Sequence, residues 1–408
     1  MPIDLKMAWR NLWRNPRRTA LTVSAIAFAS LLLVFMLSFQ LGSYETMINA
    51  AVKLQTGHLQ VQAAGYHDTP DIRKVVAQPE KVGELMEAEP SVAAWTPRAE
   101  AFSLISSADR TYGAMVVGID PRREPSVSTL ADLIRDGAFF DDTDAAEILV
   151  GRLLARNLNV AVGDELTVLG QGRDGSVAAT VLTVKGIFSS GQDAFDRSVV
   201  QMPLGYFNEV YFMRGAVHKV VAVCGRLSAV PEARAAIAEG LDDIELTVLD
   251  WDELMPGLMQ AISMDLIGGL IFWLLLIIVV AFSILNTFLM AVFERTRELG
   301  VMMAIGTRPG RLSRIILAES GVMTLVGVGI GVGLGCLITL YFQSHGIDVG
   351  GASELLAQYG ISGRMYPKLS VVSASIGPAM VLIITLLAAL WPAWKVRRLT
   401  PVAAMSHT

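Results

Sequence analysis

LIGGLIFWLLLIIVVAFSILNTFLMAVF, residues Leu266–Phe293, contains no Asp, Glu, Lys or Arg. As a helix rising about 1.5 Å per residue it exceeds the ~30 Å hydrocarbon core of a bilayer. A soluble helix keeps one polar face for water, and this stretch has none to offer. Three further stretches share the property: Thr19–Tyr44, Ser320–Ile347 and Leu369–Trp394. Apolar residues make up 53% of the chain and charged residues 17%, against about 25% charged in an ordinary soluble domain. The excess is concentrated in these four stretches. The chain is therefore predicted to be an α-helical membrane protein with four transmembrane helices, at 19–44, 262–293, 315–343 and 369–394. Basic residues precede the first stretch, as in a signal peptide, but it is longer than the roughly 7–15 apolar residues of such a signal. Its small residues Ala25, Ala27 and Ala29 lie in mid-segment, so it is read as an uncleaved span.

The charges that remain set the orientation. Lys6, Arg10, Arg14, Arg17 and Arg18 precede the first span; Arg295, Arg297, Arg308, Arg311 and Arg314 lie between the second and third; Lys395, Arg397 and Arg398 follow the fourth. The short loop 344–368 carries only Arg364 and Lys368. By the positive-inside bias both termini are predicted to be cytoplasmic, and the large insertion 45–261 and the loop 344–368 lie outside. Within residues 1–18, Leu5, Trp9, Leu12 and Trp13 recur at helical spacing opposite Lys6, Arg10 and Arg14, as in an amphipathic helix lying on the membrane surface. Asn15-Pro16 then reads as a cap and first turn that restart the chain into the bilayer.

The insertion has α+β patterning. Its two ends, 55–104 and 213–250, each read as strand–helix–strand: 58–62, 80–89, 93–98 and 218–224, 231–239, 245–249. They are expected to form one membrane-proximal βαβ-type layer. Between them, 105–212 is richer in β-type runs, at 111–118, 165–169, 177–187 and 198–202, with a helix at 150–158. It is expected to be a mostly β subdomain. Trp95, Phe139, Phe140 and Trp251 are read as core. Cys224 falls in the insertion and Cys336 in the third span, so the two are not expected to pair.

Several chemistries have no residues to carry them. There is no GxxxxGK[ST] phosphate loop and no HExxH, and the five histidines and two cysteines lack metal-ligand spacing. No catalytic residues, bound cofactor or nucleic-acid partner are expected. Ionisable groups within the spans sit at their ends, Asp265 near the outer surface and Glu319 about a turn inside. A solute pathway ordinarily needs polar groups at mid-membrane depth. Gly327, Gly331 and Gly335 recur every fourth residue in the third span and leave a flat helix face. Such faces let helix backbones approach closely, within one subunit or between two. Pro378 is expected to kink the fourth span.

Glu294–Leu312 reads ERTRELGVMMAIGTRPGRL. This resembles the coupling region of the FtsX/MacB/LolC-LolE superfamily of ABC-transporter permeases, in which an ER-x-x-E-[IL]-G-x-[ML]-x-A-[ILV]-G string follows the second span. Trp9–Thr22 is similar to that family's start and Ile148–Val168 to part of its outer domain. Arg397–Met405 is similar to its R-x-x-P-x-x-A-L tail, through Arg398 and Pro401, with Met405 where leucine is commoner. The resemblance implies a coupling segment at 294–314 that engages a separate ATPase, and a cytoplasmic tail at 395–408. Its site residues would be Glu294, Arg295, Arg297, Glu298, Leu299, Gly300, Met302, Met303, Ala304 and Gly306. Leu299, Met302, Met303 and Ile305 read as an apolar ridge suited to a partner's groove. Glu294, Arg295 and Glu298 are expected to anchor the segment to that partner or to neighbouring helices.

The resemblance further implies a bacterial inner-membrane location and a periplasmic insertion. It implies two permease chains, as a homo- or heterodimer, with two ATPase subunits that hold ATP and Mg. A periplasmic carrier or accessory protein is a further expected partner. Motion would pass through the membrane helices to the outer domain, and a lipoprotein or another amphipathic envelope molecule is the leading substrate. Three alternatives stay open: an FtsX-like scaffold that activates a peptidoglycan hydrolase, a MacB-like drug or peptide exporter, and a passive membrane adaptor with no ATPase.

Overall fold

The computed structural model describes residues 3–241, 245–348, 350 and 364–397. The chain opens with α1 (Ile3–Leu12) and α2 (Pro16–Ala51), which ends in a π-helical turn, Val52–Thr56. Then follow β1 (Leu59–Ala63), α3 (Pro79–Ala88), β2 (Val92–Ser106), β3 (Thr111–Ile119), α4 (Glu124–Val127), β4 (Ile134–Gly137) and β5 (Glu147–Gly151). Next come α5 (Arg152–Leu158), β6 (Glu165–Gln171), β7 (Val177–Phe188), α6 (Asp193–Ser198), β8 (Val199–Pro203) and α7 (Leu204–Val210). The insertion closes with β9 (Lys219–Cys224), α8 (Val230–Gly240), β10 (Leu246–Asp250) and α9 (Trp251–Leu254). The remaining elements are α10 (Pro256–Glu294), α11 (Thr296–Ala304), α12 (Pro309–His345), the short pair β11 (Ile347–Asp348) and β12 (Arg364–Met365), and α13 (Val371–Arg397). Two units result, a membrane unit (residues 1–44, 262–348 and 364–408) and an inserted domain built on residues 45–261.

Four helices, α2 with its terminal turn, α10, α12 and α13, are long and apolar enough to span a bilayer. α13 runs as one helix through Pro378 and Pro392. Ile26, Leu33, Ile284, Phe288, Met323 and Val381 form the centre of the membrane unit. The glycine face of α12 lies on α2 of the same chain. A Cβ on Gly327 would meet Ile26, one on Gly331 the Ala27 carbonyl and Ser30, and one on Gly335 Val34 and Leu31. Hydroxyls buried here mostly bond back along their own helices: Thr324 to the Ser320 carbonyl (2.8 Å), Thr339 to Gly335 (2.7 Å) and Thr385 to Val381 (2.6 Å). That satisfies them where water is absent. Ser38 donates to Ser373 at 2.8 Å and so joins α2 to α13.

In the inserted domain β2 is the spine. Its first half, Val92–Arg98, pairs with β9, its second half, Arg98–Ser106, pairs with β3, and Leu104–Ser106 also pair with β6. The sequence-based boundary at 104/105 thus falls inside a strand, and the two expected parts share one sheet. Alternation carries β2 across that point: Ala99, Ala101, Ser103 and Ile105 are buried and Phe102 and Leu104 exposed. On one side lie β10, β1 and β9, backed by α3 and α8 over a core of Val61, Met86, Trp95, Val220 and Ile237. On the other, β2–β3–β8–β5–β7–β6 returns to β2 and closes a six-stranded barrel. Closure removes open strand edges. The barrel is filled by Ile105, Val116, Val150, Leu166, Leu182 and Val200 and plugged by Leu154, Phe207 and Tyr211. Each fully buried side chain of this size contributes roughly 1.5–3 kcal/mol.

The barrel's outside is uneven. Phe140, Phe188, Phe195 and Val199 cover the wall around β3, β8 and β5. The β2–β6–β7 wall is bare, with Phe102 68%, Val177 71% and Val181 52% exposed beside Leu104 and Leu169. Near the start of β9, Glu100 accepts from Lys219 (2.8 Å) and Tyr66 (3.2 Å). His218 Nδ1 accepts the Glu100 N–H at 2.8 Å, and burial pushes the His218 pKa down to about 4.

The α2–α12 contact predicts a contrast. Gly331→Leu drives a side chain into the α2 backbone and is expected to lower stability by roughly 1–3 kcal/mol. Gly329→Leu and Gly333→Leu, whose Cβ atoms meet nothing within 4 Å, are expected to be tolerated. Thermal unfolding in detergent reads the difference; equal effects at the three positions would contradict this packing.

Candidate functional site

The site is built where α10 ends. Glu294 closes α10, and Arg295 (φ −104°, ψ 10°) breaks the helix before α11. At the far end, the Gly306 N–H donates to the Met303 carbonyl and the Thr307 N–H to Met302, both at 3.0 Å. This double closure needs a left-handed residue, and Gly306 supplies it with φ +103°. Arg308 is extended, as a residue before proline tends to be, and Pro309 opens α12.

α11 is amphipathic and turns its apolar stripe inward. Thr296, Leu299, Gly300 and Met303 are buried. Leu299 and Met303 pack on Val292, Leu312 and Val396 of the same chain. The expected outward ridge of Leu299, Met302, Met303 and Ile305 is therefore corrected: two of the four are core, Met302 is half-buried, and only Ile305 faces out. The reason is the i, i+4, i+7 spacing of Thr296, Gly300 and Met303, which lines up with Leu299 on one helix face. The outward face is Arg297, Val301, Ala304 and Ile305; Ile305 is 81% exposed and Val301 45%.

Ion pairs hold the segment to its neighbours. Arg295 sits between Glu319 of α12 (3.3 Å) and Glu298 (3.4 Å). Arg14, beyond α1, pairs with Glu298, and Arg18 of α2 pairs with Glu294 at 3.2 Å. The exposed pairs contribute little individually. Glu319 differs, because its side chain is only 8% exposed. Removing its partner strands a buried charge, which costs about 3–5 kcal/mol. A cavity of about 470 Å³ lies beside α11, lined by Met7, Asn11, Phe288, Met302, Ile316 and Met323. Outside, Ile305, Arg308, Arg311, Trp391, Trp394 and Arg397 line an open groove.

The structure thus gathers Glu294, Arg295 and Glu298 in one network, and leaves Arg297, Ala304 and Gly306 exposed. Gly327, Gly331 and Gly335 are a separate packing face on α2. Arg398, Pro401 and Met405 lie outside the described residues. Sequence reasoning placed Ile305 on the partner-facing ridge but missed the parts played by Arg14, Arg18 and Glu319. The available signal was charge sign: basic residues before the first span, and acidic ones between the second and third.

The described residues thus form four membrane helices, one large inserted α/β domain and an ion-pair-braced helix between the second and third spans. Two family models match this chain: FtsX-like permease C-terminal over residues 270–401 and MacB-like periplasmic core domain over residues 19–239. The second match covers more than half of the 408 residues, and the chain belongs to this family of ABC-transporter permease components.

Among relatives, a lipoprotein-releasing system transmembrane protein LolC of Xylella fastidiosa is 26% identical over 334 residues, 78% of this chain and 79% of that one. A pyoverdine export ATP-binding/permease protein PvdT of Pseudomonas syringae pv. tomato is 26% identical over 98% of this chain. A macrolide export ATP-binding/permease protein MacB of Rhodospirillum rubrum is 26% identical over 98% as well. The chain spans 59% of that PvdT and 60% of that MacB. The crystal structure of the periplasmic region of MacB from Actinobacillus actinomycetemcomitans aligns with 51% of this chain and 94% of its own, at 11% identity and a TM-score of 0.37.

The inward and outward faces of α11 separate by mutation. Met303→Asp buries a charge and is expected to destabilise the protein by roughly 3 kcal/mol or more. Ile305→Asp is expected to stay within about 0.5 kcal/mol of the parent. Thermal unfolding of both variants in detergent checks this; a large loss for Ile305→Asp would mean that Ile305 is core.

Proposed function

We propose that the outward face of α11, with Val301 and Ile305 framed by Arg297 and Arg308, docks a separate ABC ATPase, and that this chain passes the ATPase's motion to the inserted domain. The observation that carries the reading is Ile305: an 81% exposed isoleucine capping the C-terminal end of a short helix, at the coupling string. Exposed apolar anchors of this kind suit a groove on a partner. Two ATPase subunits, holding ATP and Mg, would serve a pair of permease chains. The basic ends of the membrane helices support a cytoplasmic site with both termini beside it, an inner-membrane location and a periplasmic domain.

The substrate in this reading is an amphipathic envelope molecule, with a lipoprotein first. The LolC relative is named for lipoprotein release, and the PvdT and MacB relatives for export of pyoverdine and macrolides. The bare barrel wall around Phe102, Val177 and Val181 supports this choice, because uncharged exposed patches favour apolar ligands or partners.

Affinity purification of the protein from its native membranes in mild detergent tests the reading. The expected result is co-purification of an ATP-hydrolysing subunit, lost in the folded Ile305→Asp variant. Recovery of no ATPase from well-expressing membranes would overturn it.

A further inference from the structure

The inserted domain is entered by α2 and left through α9 and α10, and the two connections are built differently. α2 ends in the π-helical turn Val52–Thr56, a form that is rare and frequent at functional sites. Helix ends leave carbonyls without partners. Here the domain takes them up one after another. Val52 O accepts the Gly57 N–H at 2.7 Å, and Lys53 O accepts the Thr129 N–H at 3.0 Å. Gln55 O accepts from the Arg98 guanidinium, itself held by buried Glu124 at 2.6 Å, and Thr56 O accepts from Gln60 Nε2 at 2.6 Å. The Leu54 side chain is seated in the core of Ile119, Leu130 and Phe140.

His58 completes the joint. It is 1% exposed, and Gly57 before it has φ +69° and lies too close to Val221 and Ala222 for any side chain. The Cys224 N–H donates to His58 Nδ1 at 3.1 Å. Nε2 therefore carries the proton and donates to Asn49 Oδ1 on α2, also at 3.1 Å. Burial, with Lys53 nearby, pushes the His58 pKa down to about 4 and keeps the ring neutral. The His58 carbonyl accepts the Trp251 N–H at 3.1 Å.

The exit touches the same turn at one point, where the Thr56 hydroxyl donates to Met255 Sδ at 3.4 Å, but beyond it the chain is built differently. α9 is fixed to the sheet by an Asp250/Glu253 capping box and by Arg234, which bonds Asp250 at 3.1 Å. The chain then breaks at Met255 (φ −129°, ψ 63°) before α10 begins at Pro256. Pro256 has no N–H to donate, and Gly257 has open space where a Cβ would be. A proline–glycine step at an element boundary is where a hinge absorbs dihedral change.

We propose that α2 is welded to the inserted domain through Asn49, the π-helical turn and His58, whereas α10 joins it through a hinge at Met255–Gly257. Both features lie within residues 45–261 and do not rest on the permease reading.

Spin-label distance distributions on the full chain in nanodiscs test this without any ATPase. The background carries Cys224→Ala and Cys336→Ala. Labels at Met47→Cys and Thr167→Cys report the weld, and labels at Gln260→Cys and Thr167→Cys report the hinge. The weld pair is expected to be narrow and the hinge pair roughly twice as broad. His58→Ala, or Asn49→Ala should that variant fail to fold, is expected to broaden the weld pair alone. Changing both Pro256 and Gly257 to alanine is expected to narrow the hinge pair. Equal widths in the parent, or a weld pair indifferent to loss of the His58–Asn49 bond, would overturn the proposal. ATPase co-purification together with equal widths would discard this device and leave the permease reading in place.

Discussion

A helix in hydrocarbon has to satisfy its own backbone and keep its charges at its ends. That constraint shapes the whole membrane unit. It strips four long segments of charge and turns buried hydroxyls back onto their own helices. It makes close backbone approach, such as that of Gly331 to Ala27, a means of packing α12 on α2. It also crowds the cations and carboxylates together at one end. There Arg295 sits between Glu298 and Glu319, while Arg14 and Arg18 reach Glu298 and Glu294. The helix best placed to receive a partner is held by charges that had nowhere else to go.

The inserted domain answers a different problem. Its strands live in water and must cover their apolar faces or close on themselves. β2 does both, pairing with the layer of β1 and β9 and also forming a wall of the barrel. The barrel buries its inside fully, yet only part of its outside is covered. The bare β2–β6–β7 wall is the exception to an otherwise ordinary alternation of buried apolar and exposed polar residues.

Much of this was legible from residue order. Charge-free runs mark the four helices, because a helix of that length in water would need a polar face. β-type runs mark β1, β3, β6, β7, β8, β9 and β10 to within a few residues. The short strands β4 and β5 were not read, since Ile134–Gly137 carries two charges and Glu147–Gly151 merges into a helical pattern. The shared role of β2 was hidden, because nothing local separates a strand that stops at Arg98 from one that continues to Ser106. At the site, apolar character alone did not separate Met303 from Ile305. Which of them faces inward depends on Val292, Leu312 and Val396, drawn from three other helices. The pairing of Arg14 with Glu298 spans 284 positions, a distance that no local pattern bridges.

Whether the outward face of α11 is the surface an ATPase touches is tested most directly by contact at a single residue. A photo-crosslinking amino acid at position 305, in the full chain in its native membrane, reports what lies against the outward face of the helix. The expected result is a crosslink to an ATP-hydrolysing protein from position 305, and none from position 303, which faces the chain's own core. A crosslink from 303 but not 305, or crosslinks from 305 to lipid alone, would contradict it.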